Sequence, residues 1–327
     1  MAEHTLEYVK ELMSKEMVVT GAALCMILII CGIVLRSYLV KKKKSDKSTE
    51  KSAEETVAEN RERTALEKEE GWKDSESRDF RIGKVHEIGA RSDQQDSFFV
   101  SDDTGDGQKS VLAVVADGMG GLSNGGAVSS MVVRTCMEVF YQQPEVSSAQ
   151  DTLLRMAMAA NRQINLMLQG QIRSGSTLVS AIIKDGYLYF LTIGDSRIYL
   201  YRNGALLVLN REHVYQEEIA LRVVNQADAL ERVKTDPQIN SLTSYIGSGN
   251  LSHLDRNREG IKLKEGDKII LSTDGVFGTL SQDQMEDALR SEATEAAEQM
   301  RRMVMEADKP RQDNYTAVIL EYREQIT

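Results

Sequence analysis

The sequence is short of the features on which most redox, zinc and nucleic-acid chemistry rests. It has three cysteines in 327 residues: Cys25 and Cys31 in an apolar stretch, and Cys136 in a helix-like one. That excludes a disulfide framework and any zinc spacing, and the three read as plain buried thiols. The four histidines, His4, His86, His213 and His253, make no HxxxH or CxxH pattern, and His213 reads as a structural or surface residue. No GxSxG elbow occurs and no cysteine lies in an electropositive loop, so covalent nucleophilic catalysis has little support. Basic excess is also missing: the net charge is -10. Binding through phosphate neutralisation needs the opposite balance, so no nucleic-acid partner is expected. The only prolines, Pro144, Pro237 and Pro310, fall in expected connections, and no internal repeat is evident.

The length suffices for one large domain or two small ones. Met17 to Leu35 holds no charged residue. At about 1.5 Å per residue it nearly matches a hydrocarbon core of about 30 Å. Arg36 can snorkel, which lets the span reach Val40. A cleaved signal peptide fits less well. Glu3, Glu7, Glu11 and Glu16 precede the stretch, which is long and has no small-residue cleavage site after it. Arg36, Lys41, Lys42, Lys43, Lys44, Lys47 and Lys51 follow, against Lys10 and Lys15 before. The positive-inside rule therefore puts the C-terminal side in the cytoplasm. The lysine run reads equally well as a topology signal or as a contact with anionic lipid headgroups. The expected organisation is a short extracytoplasmic segment 1–16, a transmembrane helix 17–40, a charged cytoplasmic linker 41–79 and a domain 80–327.

Within that domain, strands are expected at 82–88, 97–101, 111–116, 176–184, 187–193, 196–201, 205–209, 268–273 and 315–322, with Asn203-Gly204 as a hairpin turn. Helical periodicity covers 122–141, 150–170, 282–290 and 293–307. Residues 212–233 are polar and helix-prone, and Ser281 with Gln284 makes a capping box. Clustered strands with hairpins between them, and helices in pairs, favour antiparallel sheets with helices packed outside, an α+β layered domain.

Four aspartates share one setting. Asp117 ends the apolar run 111–116, Asp195 follows 191–194, Asp274 follows 269–273, and Asp313-Asn314 opens the run 315–320. A carboxylate at the end of a buried strand is costly unless something pairs with it. Arg91, Lys268, Arg197 and Arg311 are the obvious counter-charges. Hard divalent cations held by oxygen are the natural alternative. Each motif alone is a common turn, but two-metal sites need several carboxylates, one of them bridging. A phosphate-binding glycine loop is the weaker reading of Asp117-Gly118-Met119-Gly120-Gly121, since no Lys-Ser/Thr follows. Arg91 fits bidentate phosphate contact; the competing reading pairs it with Asp93 or Asp96.

Arg91…Asp96, Asp117-Gly118-Met119-Gly120-Gly121, Gly175-Ser176-Thr177, Gly194-Asp195-Ser196-Arg197, Ser272-Thr273-Asp274-Gly275 and Asp313-Asn314 come in one order. On these motifs, residues 80–323 resemble the metal-dependent serine/threonine phosphatases of the type 2C family, bacterial members in particular. The resemblance implies a four-layer α/β/β/α sandwich of two antiparallel sheets flanked by helix pairs. It implies Asp117 bridging two Mn²⁺ or Mg²⁺ ions and Gly118 offering its carbonyl to one, with Asp274 and Asp313 on the other. Asp195 would hold a third, weaker ion. Arg91 would clamp the substrate phosphate, Asp96 would hold water beside the ions, and Thr177 and Asn314 would support the site. Met119 stands where animal members carry a histidine acid, and Gln95 replaces a common acidic residue. Residues 211–250 fall where the family has a variable flap. The expected partners are phosphorylated proteins, a serine/threonine kinase acting on the same targets, and membrane lipid. A catalytically silent membrane scaffold, or a phosphatase of a small phosphoester, are the other readings.

Overall fold

The computed structural model describes residues 80–323 apart from 102–109, 121–123, 143–146, 170–173, 218, 220–235 and 252. Among the described residues no helix is long and apolar enough to cross a membrane. The apolar segment 17–40 and the linker 41–79 lie outside them.

Twelve strands and five helices are described. The strands are β1 (Phe80–Glu87), β2 (Asp96–Val100), β3 (Ser110–Met119), β4 (Gly175–Ser176), β5 (Leu178–Lys184), β6 (Tyr187–Ile193), β7 (Arg197–Arg202), β8 (Ala205–Val208), β9 (Asp255–Arg256), β10 (Ile261–Lys262), β11 (Lys268–Ser272) and β12 (Tyr315–Tyr322). The helices are α1 (Asn124–Gln142), α2 (Ala149–Leu168), α3 (Asp274–Phe277), α4 (Gln282–Ala288) and α5 (Ala293–Glu306). One sheet runs β1-β12-β11-β7-β8; the other runs β10-β6-β5-β3-β2, with β4 on β3 and β9 on β6. Every pairing in both sheets is antiparallel.

Period-two alternation decides which face each strand buries. Leu112, Val114 and Ala116 of β3 meet α1 and α2, together with Leu178, Ile182, Leu191 and Ile193. The alternate residues Val111, Ala113 and Val115 face the other sheet, packing with Ile198, Ile269, Leu271, Val318 and Leu320. Ile270, Ala317 and Ile319 of the first sheet point outward onto Met285, Ala297 and Met300 of α4 and α5. β3, β5, β11 and β12 are therefore apolar on both faces, which is why they read as continuous runs rather than alternations. Ser148 caps α2, and Ser281 with Gln284 forms the expected capping box on α4.

Several boundaries differ from the expectation. β3 continues past Ala116 to Met119, because Gly118 and Met119 pair with Ser176 and Gly175. Asp117 thus lies inside a strand rather than at its end. The single strand expected at 176–184 is broken at Thr177 into β4 and β5. Asp274 does not close β11 but opens the four-residue helix α3. Two-residue strands β9 and β10 carry too little pattern to be seen in sequence.

Gly83 lies on β1 where α5 crosses it, and a Cβ there would overlap the Ala293 backbone carbonyl. Gly83→Ala is expected to cost about 1–3 kcal/mol in denaturant unfolding, as overpacking of a rigid contact does. Gly204→Ala meets nothing within 4 Å. It pays only for its positive φ of +82°, about 1 kcal/mol.

Candidate active site

Antiparallel pairing brings the interesting ends together. The C-termini of β1 and β11 and the N-termini of β12 and β7 share one end of their sheet. In the other sheet the start of β2 lies against the end of β3, and the start of β5 against the end of β6. Asp96 joins the two ends. Its Oδ2 accepts from the Thr273 hydroxyl at 2.9 Å and from the Thr316 hydroxyl at 2.7 Å, both supplied by the opposite sheet.

Asp96 and Asp117 are direct partners in the β2–β3 register. Like charges facing across a strand pair are destabilising, so this pairing signals a compensating positive group. The Asp117 backbone is fixed by Thr177. The Asp117 amide donates to Thr177 Oγ1 at 3.0 Å, and the Thr177 amide donates to the Asp117 carbonyl at 2.9 Å. Thr177 Oγ1 also lies 2.7 Å from Ser196 Oγ, which ties the strand to the turn carrying Asp195. The Gly118 amide donates to the Gln95 carbonyl at 3.0 Å. A Cβ on Gly118 would overlap the Gly125 carbonyl, so the glycine is what lets α1 approach.

Asp313 and Arg91 face each other beyond the ends of β12 and β1, with Arg91 Nη2 donating to Asp313 Oδ2 at 2.6 Å. Arg91 therefore pairs with neither Asp93 nor Asp96. Asn314 holds the Arg91 loop in place: its amide donates to the Ile88 and Asp93 carbonyls at 2.8 and 3.1 Å, and its Oδ1 accepts from the Gln95 amide at 2.8 Å. The other counter-charges are spent elsewhere. Arg197 pairs with Glu212 and lies 4.0 Å above the Phe277 ring. Lys268 approaches Glu321 at 4.0 Å, and Arg311 is exposed.

The electrostatics follow. Burial, and then repulsion from Asp96, Asp274, Asp195 and Asp313, pushes the Asp117 carboxyl well above the usual range. Burial raises Asp96 to about 7 against two hydroxyl donors. Burial, then Asp274, raises Asp195 to about 6. Asp274 is raised by burial and then by Asp313. Asp96 Oδ1 and Asp274 Oδ1 are buried without a hydrogen-bond partner.

Mutually repelling carboxylates with orphaned oxygens fit divalent cations. Among the described residues, no three His, Cys, Asp or Glu side chains are already gathered to hold one ion; Asp313 is turned to Arg91 instead. Mg²⁺-type ions keep several waters and take one or two carboxylates each, so the donor set is sufficient. Asp117, Asp274, Asp313 and the Gly118 carbonyl are the groups that would hold them.

Sequence reasoning missed Thr316 and Gln312, and gave no role to Ser196 and Thr273 although both stand inside the quoted motifs. Gln312 Nε2 donates to the Gly275 carbonyl at 2.8 Å and holds the turn behind Asp274. The hydroxyls adjoin motif residues, but nothing in the chain marks them as acting across sheets. Of the expected flap, residues 215–217 and 219 are helical, and 220–235 lie outside the described residues. Its near ends are tied down. The Gly194 amide donates to His213 Nδ1 at 3.0 Å, Ser176 bridges Ile246, and Asn161 and Asn165 hold Gly247 and Gly249. His213 is structural here, as expected.

Residues 82–319 match the family model described as Protein phosphatase 2C. The chain is similar to a serine/threonine phosphatase, Stp, of Listeria welshimeri. The two are 29% identical over 188 residues, 55% of this chain and 72% of that protein. It is similar to PstP of Mycobacterium tuberculosis at 25% identity, over 64% of this chain and 40% of that one. Among solved structures, the S. agalactiae serine/threonine phosphatase superposes with a TM-score of 0.64 at 26% identity, covering 75% of this chain and all of that one. A PstP catalytic domain solved with two manganese ions shares the fold, with a TM-score of 0.59 at 21% identity, over 75% of this chain and 99% of that one.

The raised carboxyls set a pH dependence. Their folded values lie above the unfolded 3.8, at about 7 for Asp96 and about 6 for Asp195, so the folded state binds more protons in between and chelated protein loses stability as pH rises from about 4 to 7. His86, lowered by burial from 6.5 to about 4, acts oppositely and only below 6.5. Urea titrations in chelator should therefore show stability falling between about pH 4 and 7 and levelling above, and Asp96→Asn should flatten the fall. Mn²⁺ should reverse it in the native protein and not in Asp274→Asn.

Proposed function

The chain belongs to the protein phosphatase 2C family, and from that premise we propose that its Asp117 centre hydrolyses phosphoserine and phosphothreonine in proteins with the help of two divalent cations, Mn²⁺ or Mg²⁺. It is a protein-serine/threonine phosphatase, like the relatives it matches. The observation that carries the two-cation reading is the set of buried and half-buried carboxylates that repel one another while Asp96 Oδ1 and Asp274 Oδ1 lack a hydrogen-bond partner.

In this reading Asp117 would be shared by the two ions, the Gly118 carbonyl would hold one, Asp274 and Asp313 would hold the other, and Asp195 would serve a weaker third. When bound, the cations supply a hydroxide nucleophile near neutral pH and neutralise charge on the phosphoryl oxygens. Arg91 binds the substrate phosphate. Its side chain is 55% exposed, and its fork matches two phosphoryl oxygens, which costs only the exchange of Asp313 as partner. Asp96 orients water beside the ligands. Met119 offers no proton, so the leaving oxygen takes one from water. No covalent phosphoenzyme is required. The four-layer α/β/β/α description belongs to this reading, supported by three separate core clusters.

Membrane attachment is part of the proposal and rests on sequence alone. Residues 17–40 would span the bilayer, 1–16 would lie outside, and the linker 41–79 would hold the catalytic domain 80–327 at the cytoplasmic face. Phosphorylated substrates of a serine/threonine kinase would be met there, with lipid headgroups against the lysine run.

The protein should hydrolyse a phosphothreonine peptide only with Mn²⁺ or Mg²⁺, and Asp117→Asn or Asp274→Asn should abolish this. Full activity in excess chelator would sink the two-cation reading. Arg91→Ala should lower kcat/KM about 10²-fold, the loss expected for a phosphoryl clamp. Protease added outside intact cells should leave the domain uncut; its digestion would overturn the orientation.

A further inference from the structure

Among the described residues, His86 is the one histidine on a strand that ends at the centre. It is in direct register with Thr316 across β1 and β12, and its Nδ1 lies 2.9 Å from Thr316 Oγ1. On its other side its ring meets Phe98 of the second sheet edge-on, with centroids 5.1 Å apart. Neither the sequence motifs nor the proposed roles use it.

The hydrogen-bond directions around it can be assigned by elimination. An ionised carboxylate only accepts, so both hydroxyls at Asp96 Oδ2 donate to it: Thr273 at 2.9 Å and Thr316 at 2.7 Å. The Thr316 amide donates to Thr273 Oγ1 at 3.0 Å, and the Thr273 proton goes to Asp96. With the Thr316 proton committed to Asp96, Thr316 Oγ1 can only accept from His86. His86 must therefore carry its proton on Nδ1. This donation prevents the Thr316 hydroxyl from rotating away. Two hydroxyls then hold Oδ2, and Oδ1 has no hydrogen-bond partner, in a carboxylate that Asp274 and Asp117 both repel.

We propose that His86 is a positioning residue of the phosphatase centre: through Thr316 it fixes the orientation of the Asp96 carboxylate, and with it the order of the water and cations that Asp96 faces. The proposal rests on the two-cation reading. Outer partners of this kind typically change metal affinity or activity by 10–100-fold when removed.

The test uses the full-length protein and three variants. His86→Leu keeps apolar packing on Phe98 and removes the donor. His86→Asn keeps an N–H close to the position of Nδ1. Thr316→Val removes the intermediate hydroxyl. Mn²⁺ affinity by calorimetry, kcat and KM for a phosphothreonine peptide, and the unfolding midpoint in chelator are measured. His86→Leu and Thr316→Val should each weaken Mn²⁺ binding and lower kcat about tenfold or more, with KM nearly unchanged. The double variant should be no worse than either single one. His86→Asn should recover most of both. If His86→Leu and His86→Asn lose equally, or if the Leu variant loses stability with Mn²⁺ affinity and kcat intact, His86 is merely structural and the proposal falls. Native protein that binds no Mn²⁺ yet hydrolyses the peptide would instead defeat the two-cation reading, which separates the two failures.

Discussion

Repulsion between carboxylates that are buried or half-buried is the constraint around which this domain is arranged. Asp96 and Asp117 are placed opposite one another in adjacent strands, and Asp274, Asp313 and Asp195 add to the same negative field. No apolar core would tolerate this on its own account, since a buried charge must be paired or neutralised. The local cations do not suffice: Arg91 reaches Asp313, while Arg197 is committed to Glu212. The chelated domain therefore holds stored electrostatic cost at the place where cations relieve it, and binding and stability are linked.

The sheets make that cost bearable. Their inner faces form one apolar cluster, and each outer face is covered by helices. The centre lies where the strand ends of both sheets meet, at the rim of this core rather than within it. Hydroxyls from one sheet reach a carboxylate of the other at Asp96. Asn314 fastens the Arg91 loop by three bonds. Backbone rigidity thus sets the geometry of the acidic groups, which is what a site built to receive ions with little rearrangement requires.

Much of the fold was legible because the periodicities are strong. The bounds of β6 and β12 agree with the expected strands, and the capping box on α4 stands where Ser281 and Gln284 put it. Apart from the short helix that Asp274 opens, the errors have one physical source, long-range pairing. β3 extends past Ala116 because Asp117 pairs with Asp96 of β2 and because Gly118 and Met119 pair with β4, nearly sixty residues later. β9 and β10 exist only as partners of β6. In the site, the aspartates announced themselves as carboxylates at the ends of apolar runs. Thr273 and Thr316 did not, since a threonine in a strand is ordinary and its meaning lies in what faces it. His86 was passed over for want of a neighbouring histidine or cysteine; its partner is 230 residues away.

By itself the sequence determined composition-level matters: which runs could be strands or helices, which residues carry charge without an evident partner, and which ordered motifs resemble a family. Those depend on residues near one another in the chain. Tertiary structure alone decided which charges face each other, that Arg91 meets Asp313 rather than Asp93 or Asp96, and which hydroxyls hold Asp96 in place. Antiparallel registry is a property of two strands at once, and no single segment encodes it.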